Sequence, residues 1–514
     1  MKRTDSSKSI RLLNFIEEKG NKLPHPVTIF ILFTFIVIVA SHILYVLGTS
    51  VTFEGVNNET MQTEMLTVKA ESLLVPEGIA YMFSNVVSNF TSFVALGPVL
   101  VAMLGVGVAE KSGYISALMT NTVTKAPKRF VTPIVVLMGV LSNVAASVGY
   151  VVLVPLGAIV FLGFNRHPLA GLSAAFAGVA GGYSANLFIG TNDPLLSGIT
   201  TEAAKILDAG YVVNPTDNWF YMFASTFLIV IIGTLITDKL IEPKLGKYEP
   251  AGALEENRKN GISAIEKKGL RWANLSVLLT IAAIALLVLP EHAPLRGEGG
   301  SIVSSPFMSS IIFLMMLIFL VPGTVYGLVT RTIKNDKDIA GLMTSSLETM
   351  AGFIVLIFFA AQFVALFNYT NLGTIIAVNG AELLKAIQLD GVLLLVALIF
   401  ITTVINLFIA ADSAKWAIMA PVFVPMFMQM GIAPEVTQVA YRVGDSSTNI
   451  ISPLMPFFPL VVAFAQRYGK QNGVGTVISL MLPYSIAILI CWTIFFTVWY
   501  LLGIPVGPGT SLTY

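Results

Sequence analysis

The chain has 514 residues, 55% hydrophobic and only 11% charged, with a formal charge of +1; a typical soluble domain carries about 25% charged residues. That balance excludes an ordinary soluble enzyme, and the charge gives no reason to expect a nucleic-acid partner. Length alone would suggest about three soluble domains, but no polar stretch exceeds about thirty residues, so a single all-α polytopic membrane unit is expected.

Residues 1–25 are polar and are expected to stay cytoplasmic, with no cleavable signal, because the first long apolar run, 26–47, already has spanning length. Full crossings are expected near 26–47, 92–109, 168–192, 218–237, 272–290, 307–329, 351–367, 435–462 and 476–502. The apolar stretches 131–163 and 391–430 are interrupted near their middles and are predicted to be re-entrant hairpins. The first half, 26–237, holds one hairpin and the broken helix 168–192; a cytoplasmic linker, 238–271, follows. The second half, 272–514, holds the other hairpin and the broken helix 435–462. With the N-terminus inside, inner segments contain 24 of the 30 lysines and arginines. The positive-inside rule therefore supports about nine crossings plus two hairpins, with a cytoplasmic N-terminus and a periplasmic C-terminus in a bacterial inner membrane. Segments 338–350 and 370–386 suit either interfacial helices or a scaffold. The single cysteine, Cys491, lies in an apolar run and reads as a packed or lipid-facing thiol; the four scattered histidines predict no metal site.

An internal repeat underlies this pattern. Ser147, Pro155, Pro168 and Gly178 are spaced by 8, 13 and 10 residues, as are Ser413, Pro421, Pro434 and Gly444. AAS at 145–147 matches ADS at 411–413, and with a three-residue shift GGYSAN at 181–186 matches GDSSTN at 444–449. Five crossings separate the hairpins, so the copies face opposite ways. Inverted repeats with interrupted helices bring substrate and ion sites to the midplane, where unwound backbone lines a protein-enclosed cavity.

Charged residues near mid-bilayer cost about 2.5–3.5 kcal/mol each, so ADSAKW at the second hairpin tip needs a reason. Facing SNVAAS at the first tip, it would line a central site. Ser142, Asn143, Asn186 and Asp193, with carbonyls freed around Gly182, offer the hard oxygens that sodium prefers; Asn143, Asn186 and Asp193 are the candidate sodium ligands, and Asp193 and Asp445 suit sodium or proton coupling. Ser413, Trp416, Arg442 and Asp445 suit an organic substrate, with Arg442 forking onto a carboxylate and Trp416 stacking on a ring. Asp445, three residues after Arg442, is expected to pair with it. Lys415 is expected either to offset Asp412 or to touch substrate.

GNKLPHP, SLLVPEGI, NRHPLAGL, SGITTEAA, TDKLIEPKLG, TRTI, ETMAGF and YLLGIPVGPG, spread over nearly the whole chain, resemble the AbgT family of p-aminobenzoyl-glutamate transporters. The resemblance implies a homodimer, nine transmembrane helices with two re-entrant hairpins, and movement of p-aminobenzoyl-glutamate and related folate-pathway compounds, including sulfonamides. It also implies functional roles at Asp193, Ser413, Trp416, Pro434, Arg442, Asp445 and Pro453. The resemblance implies a tip closer to S-G-S-x-x-W, whereas here it reads A-D-S-A-K-W, which makes Asp412 and Lys415 candidates for shifting substrate preference or ion coupling. An aromatic amide bearing two carboxylates asks for a cation, a ring platform and small hydrogen-bonding groups, which Arg442, Trp416 and Ser413 supply. The expectation is therefore a secondary transporter, not an enzyme, with no cofactor beyond a coupling sodium ion or proton. A sodium-coupled dicarboxylate carrier is the alternative. No G-x-x-x-x-G-K-[ST] motif occurs to couple ATP.

Overall fold

The computed structural model describes residues 26–514 except 57–62, 95, 126, 146–148, 249–261, 291, 298, 299, 302–304, 349, 387–390, 410, 453, 454 and 456. Ser147 and Pro453, both singled out above, lie outside the described residues. Among the described residues, six helices are long and apolar enough to cross a membrane: Val27–Val46, Trp219–Leu245, Ala264–Val288, Ile311–Thr330, Ala351–Tyr369 and Val474–Leu501. Leu96–Lys111 and Tyr114–Thr124 form a further pair bent by 58°. The bend falls at Gly113, whose φ of 89° suits a residue without Cβ.

The two crossings expected to be broken are broken. Pro168–Phe176 runs through a π turn, Ala177–Gly181, into irregular backbone and resumes as Asn192–Ala204, while Pro434–Asn449 stops before Phe458–Gln466. The hairpins are helix–break–helix units, Val131–Leu141 with Val154–Gly163 and Gly391–Asn406 with Asp412–Met428.

The repeat appears as matched contacts. Pro168 and Pro434 each open a helix behind an extended residue, His167 (ψ 124°) and Ala433 (ψ 143°), where a missing N–H costs nothing. Gly178 and Gly444 each abut the incoming hairpin arm: an added Cβ would stand 2.3 Å from the Val136 carbonyl in one copy, and 2.4 Å from the Ile399 carbonyl and 2.8 Å from Thr402 in the other. Asn143 Nδ2 donates to the Gly182 carbonyl at 3.3 Å and Asn406 Nδ2 to the Asp445 carbonyl at 2.7 Å, the partners standing 39 positions apart in each case.

Elsewhere the chain builds a frame. Asp336–Glu348 packs on Leu96–Lys111, where the Ser346 hydroxyl donates to the Met103 carbonyl at 3.1 Å and lies against Gly107. Leu372–Ala386 packs on Asp412–Met428, with Gly380 against Met426. Both segments whose role the sequence leaves open are helices packed on a neighbouring helix. Arg166 ties the foot of the first hairpin to the end of the helix from Trp219: its guanidinium meets Glu242, donates to Asp238 Oδ1 at 2.6 Å and to Thr132 Oγ1 at 2.7 Å, and lies 4.1 Å over the Phe161 ring.

Among the described residues, a pair of strands departs from the all-α expectation. Ser50–Val56 pairs antiparallel with Thr63–Lys69 in the connection after the first crossing. Val51 and Phe53 are buried and Thr52 between them is exposed, the period-two pattern of a strand with one packed face.

Candidate functional site

Three elements converge on the core: the resumed helix Asn192–Ala204, the hairpin helix Asp412–Met428 and the helix Pro434–Asn449. Asp193 and Thr200, seven residues apart, share one helical face, as do Gln438 and Arg442, four apart. The two faces meet in two rungs. Arg442 Nη2 stands 2.7 Å from Asp193 Oδ1, and the Thr200 hydroxyl donates to Gln438 Oε1 at 2.6 Å. Gln438 continues outward by donating to Asn218 Oδ1 at 2.8 Å.

Trp416 closes the third side. It is fully buried, stacks on Tyr441 with ring centroids 4.4 Å apart, and donates its indole N–H to Thr200 Oγ1 at 2.9 Å. Burial rules out the interfacial-anchor role that tryptophan often has in membrane proteins. Ser413, three residues earlier on the same face, is half-buried at the tip. Asp412 beside it accepts from the Tyr183 hydroxyl at 3.1 Å, and its backbone carbonyl accepts from the Tyr441 hydroxyl at 2.6 Å.

The charges pair otherwise than expected. Arg442 pairs with Asp193 and not with Asp445, although Asp445 is one turn away; Lys415, not Arg442, pairs with Asp445, at 2.5 Å, both side chains being buried. The direct ion pair of Lys415 is thus with Asp445 and not with Asp412. Two side chains on one helix need not face each other once other helices present partners, and here Asn192–Ala204 and the hairpin helix each supply one.

Arg442 is poorly satisfied for a guanidinium with five donors. Beyond Asp193 it reaches Met222 Sδ at 3.2 Å, a weak acceptor, and its buried Nε has no hydrogen-bond partner among the described residues.

The oxygen set divides. Asn143 sits with Gly182, and its buried Oδ1 has no hydrogen-bond partner among the described residues. Asp193 faces Arg442 instead of joining Asn143 and Asn186; its Oδ2 accepts from the Gly190 N–H at 2.6 Å. Gly190 in turn lies against the Asn143 carbonyl, 3.4 Å from where its Cβ would be. Asn186 Oδ1 accepts from Phe188 N–H at 3.4 Å within its own turn, and the Ser142 hydroxyl donates to the Gly139 carbonyl at 2.6 Å. Pro434 opens its helix eight residues before Arg442, about 12 Å along the axis at 1.5 Å per residue, so it shapes the site from a distance. Reading the sequence passes over Thr200, Gln438, Tyr441 and Asn406. Thr200 was findable as the i+7 companion of Asp193, and Asn406 as the repeat counterpart of Asn143.

A groove of about 670 Å³ lined by Ser112, Ser116, Thr120, Glu266, Tyr326 and Thr330 lies in the frame and includes none of these residues. Asp193, Thr200, Trp416, Gln438 and Arg442 of the central site are all buried.

The chain matches the model of the AbgT putative transporter family over residues 11–514. It is 40% identical over 505 residues to the p-aminobenzoyl-glutamate transport protein of Escherichia coli K12, covering 98% of this chain and 97% of that one. Among solved structures, the Neisseria gonorrhoeae MtrF, described among antimetabolite efflux pumps, is 48% identical with a TM-score of 0.91, covering 97% of this chain and 100% of that one. The Alcanivorax borkumensis YdaH transporter is 43% identical with a TM-score of 0.88, covering 94% and 100%. The match to the family model over residues 11–514 and the identity to the E. coli protein, together with a mainly helical, multi-span membrane fold, show that the chain belongs to the AbgT family of transporters.

Proposed function

We propose that the chain is a secondary active transporter of p-aminobenzoyl-glutamate and related folate-pathway or sulfonamide compounds, driven by a sodium or proton gradient through alternating access. We take it to work as a homodimer in a bacterial inner membrane, with the N-terminus cytoplasmic and the C-terminus periplasmic. The observation that carries this reading is Arg442: a buried guanidinium whose Nε has no hydrogen-bond partner among the described residues and whose Nη1 meets a thioether, on the helix whose Tyr441 stacks on the Trp416 indole. A carboxylate of the substrate would supply the missing acceptors in bidentate geometry. Parting of Trp416 from Tyr441 would open a slot for the benzoyl ring. Asp193 must then yield Arg442 to the substrate, which makes this ion pair the switch between closed and loaded states. Ser413 and Asp445 would border the substrate path, and Asn143 Oδ1, which has no hydrogen-bond partner among the described residues, would hold a coupling cation together with the Gly182 carbonyl. The name of the E. coli relative and the description of MtrF support the same substrate class.

Liposomes carrying the purified protein test the proposal. Saturable uptake of labelled p-aminobenzoyl-glutamate is expected under an imposed sodium or proton gradient. Competition by unlabelled substrate but not by succinate or citrate is expected; inhibition by succinate at equal concentration would favour the dicarboxylate carrier, and current without saturation would mean a channel.

A further inference from the structure

The two repeat copies end in differently filled pockets. In the second copy, Asn406 is held by its amide N–H groups to the Asp445 carbonyl (2.7 Å), Asn449 Oδ1 (2.8 Å) and Thr448 Oγ1 (2.9 Å), which turns its own Oδ1 inward. That oxygen receives the Lys415 ammonium, together with Asp445 Oδ1 at 2.5 Å and the Ile409 carbonyl at 3.4 Å. The Tyr441 ring lies 5.8 Å from Nζ, and Asp445 Oδ2 is occupied by the Asn449 amide at 3.3 Å. Apart from the ring face, the ammonium is surrounded by carbonyl, amide and carboxylate oxygens, the donor set that a desolvated alkali cation takes.

In the first copy, Asn143 makes the corresponding bond to Gly182, but its Oδ1 is left buried without a partner among the described residues. Through the spacing that pairs Gly178 with Gly444, the position of Lys415 falls on Gly149, and through the shifted spacing Asp445 falls on Gly182. The lysine and the aspartate are thus present together in one copy and absent together in the other.

We infer that the Lys415 ammonium is a built-in cation that fills the second of two repeat-related cation sites. Sodium is thereby kept out of the pocket formed by Asn406, Ile409 and Asp445. Any free coupling cation is confined to the pocket at Asn143. The inference deepens the ion-coupling part of the proposed function, and its test reads ion binding without substrate, so it stands or falls apart from the choice of cargo.

The experiment counts radiolabelled sodium ions bound per chain by equilibrium dialysis of the full-length protein in nanodiscs, with choline chloride holding ionic strength constant. Wild type is expected to bind one ion, lost in Asn143→Ala. Lys415→Ala, which uncovers the oxygens of Asn406 and Asp445, is expected to bind one more than wild type, and Lys415→Ala combined with Asp445→Asn to lose that gain. Lys415→Met, which keeps the apolar stem, replaces Lys415→Ala if the latter does not fold. Should wild type bind none and the lysine variant one, the Asn143 site is removed and the built-in cation retained. Two ions in wild type, or equal counts in wild type and a folded lysine variant, would overturn the inference.

Discussion

All sixteen residues of Pro434–Asn449 are buried, and nine of them are polar or charged; of the 25 residues in Ala264–Val288, only Gly269, Leu270, Ala273 and Val288 are buried. The second helix exposes Leu275, Leu278, Leu279, Ile281 and Leu286. Polarity at membrane depth is thus concentrated on a helix enclosed by protein, and the outer helix is left apolar for lipid. The difference follows from solvation, since hydrocarbon offers no partner to a polar group and a neighbouring helix does. It also supports the proposed site on the enclosed helix, because selectivity needs directed polar groups.

The sharpest way to break this contrast is to unpair a charge in the enclosed helix. Arg442→Ala should destabilise the protein by about 3–5 kcal/mol, because Asp193 is left buried without its cation, and should abolish uptake. Adding Asp193→Asn should recover most of the stability and none of the transport. Thermal unfolding and liposome flux read the two separately, and a single variant as stable as wild type would remove the pair as a tie between the helices.

The next effect is read against pH at the rim of the core. Burial pushes the Asp217 carboxyl up to about 7, despite the Asn214 N–H donated to it at 2.7 Å. Between the ordinary 3.8 and about 7 the folded protein holds a proton that the unfolded chain has released. Stability from this group is therefore full below about pH 4 and fades up to about pH 7, by at most about 1.4 kcal/mol per pH unit. Asp217→Asn should flatten unfolding midpoints measured from pH 5 to pH 8 (about one to two units either side of the transition); an unchanged slope would assign it elsewhere.

Smaller effects compare helix contacts in core and frame. Gly444→Ala and Gly178→Ala should each cost about 1–3 kcal/mol, since the new methyl meets a backbone carbonyl that has little room to move. Gly341→Ala, with open space around it in Asp336–Glu348, should gain about 0.5–1 kcal/mol from helix propensity. Equal effects at all three positions would erase the distinction. Trp416→Phe, which keeps a ring on Tyr441 but loses the bond to Thr200, should cost about 0.5–1.5 kcal/mol and raise the KM for substrate about threefold to tenfold.

Much of the fold was legible because its signals are local. Hydrophobic length marks the spans, and proline and glycine mark where helices start, bend or approach closely, as at Pro168 and Pro434 or Gly178 and Gly444. Interruptions near the middles of the apolar stretches 131–163 and 391–430 located the hairpins. The two-stranded sheet was passed over because its runs are short and lie in a polar connection. Arg442, Asp193 and Trp416 stood out because a charge or indole in an apolar run calls for an explanation; Thr200, Gln438 and Tyr441 did not, since each has an ordinary reading inside a helix.

The sequence by itself determined a membrane-embedded, duplicated, helical protein, because apolar run length and backbone-restricting residues act within a few residues of chain. Which acid holds which base was decided only by the tertiary structure. Asp445 lies one turn from Arg442 and 30 residues from Lys415, yet Lys415 is its partner. A buried charge takes the partner that packing brings into contact with it, and three helices meeting in space, not spacing along one of them, set that distance.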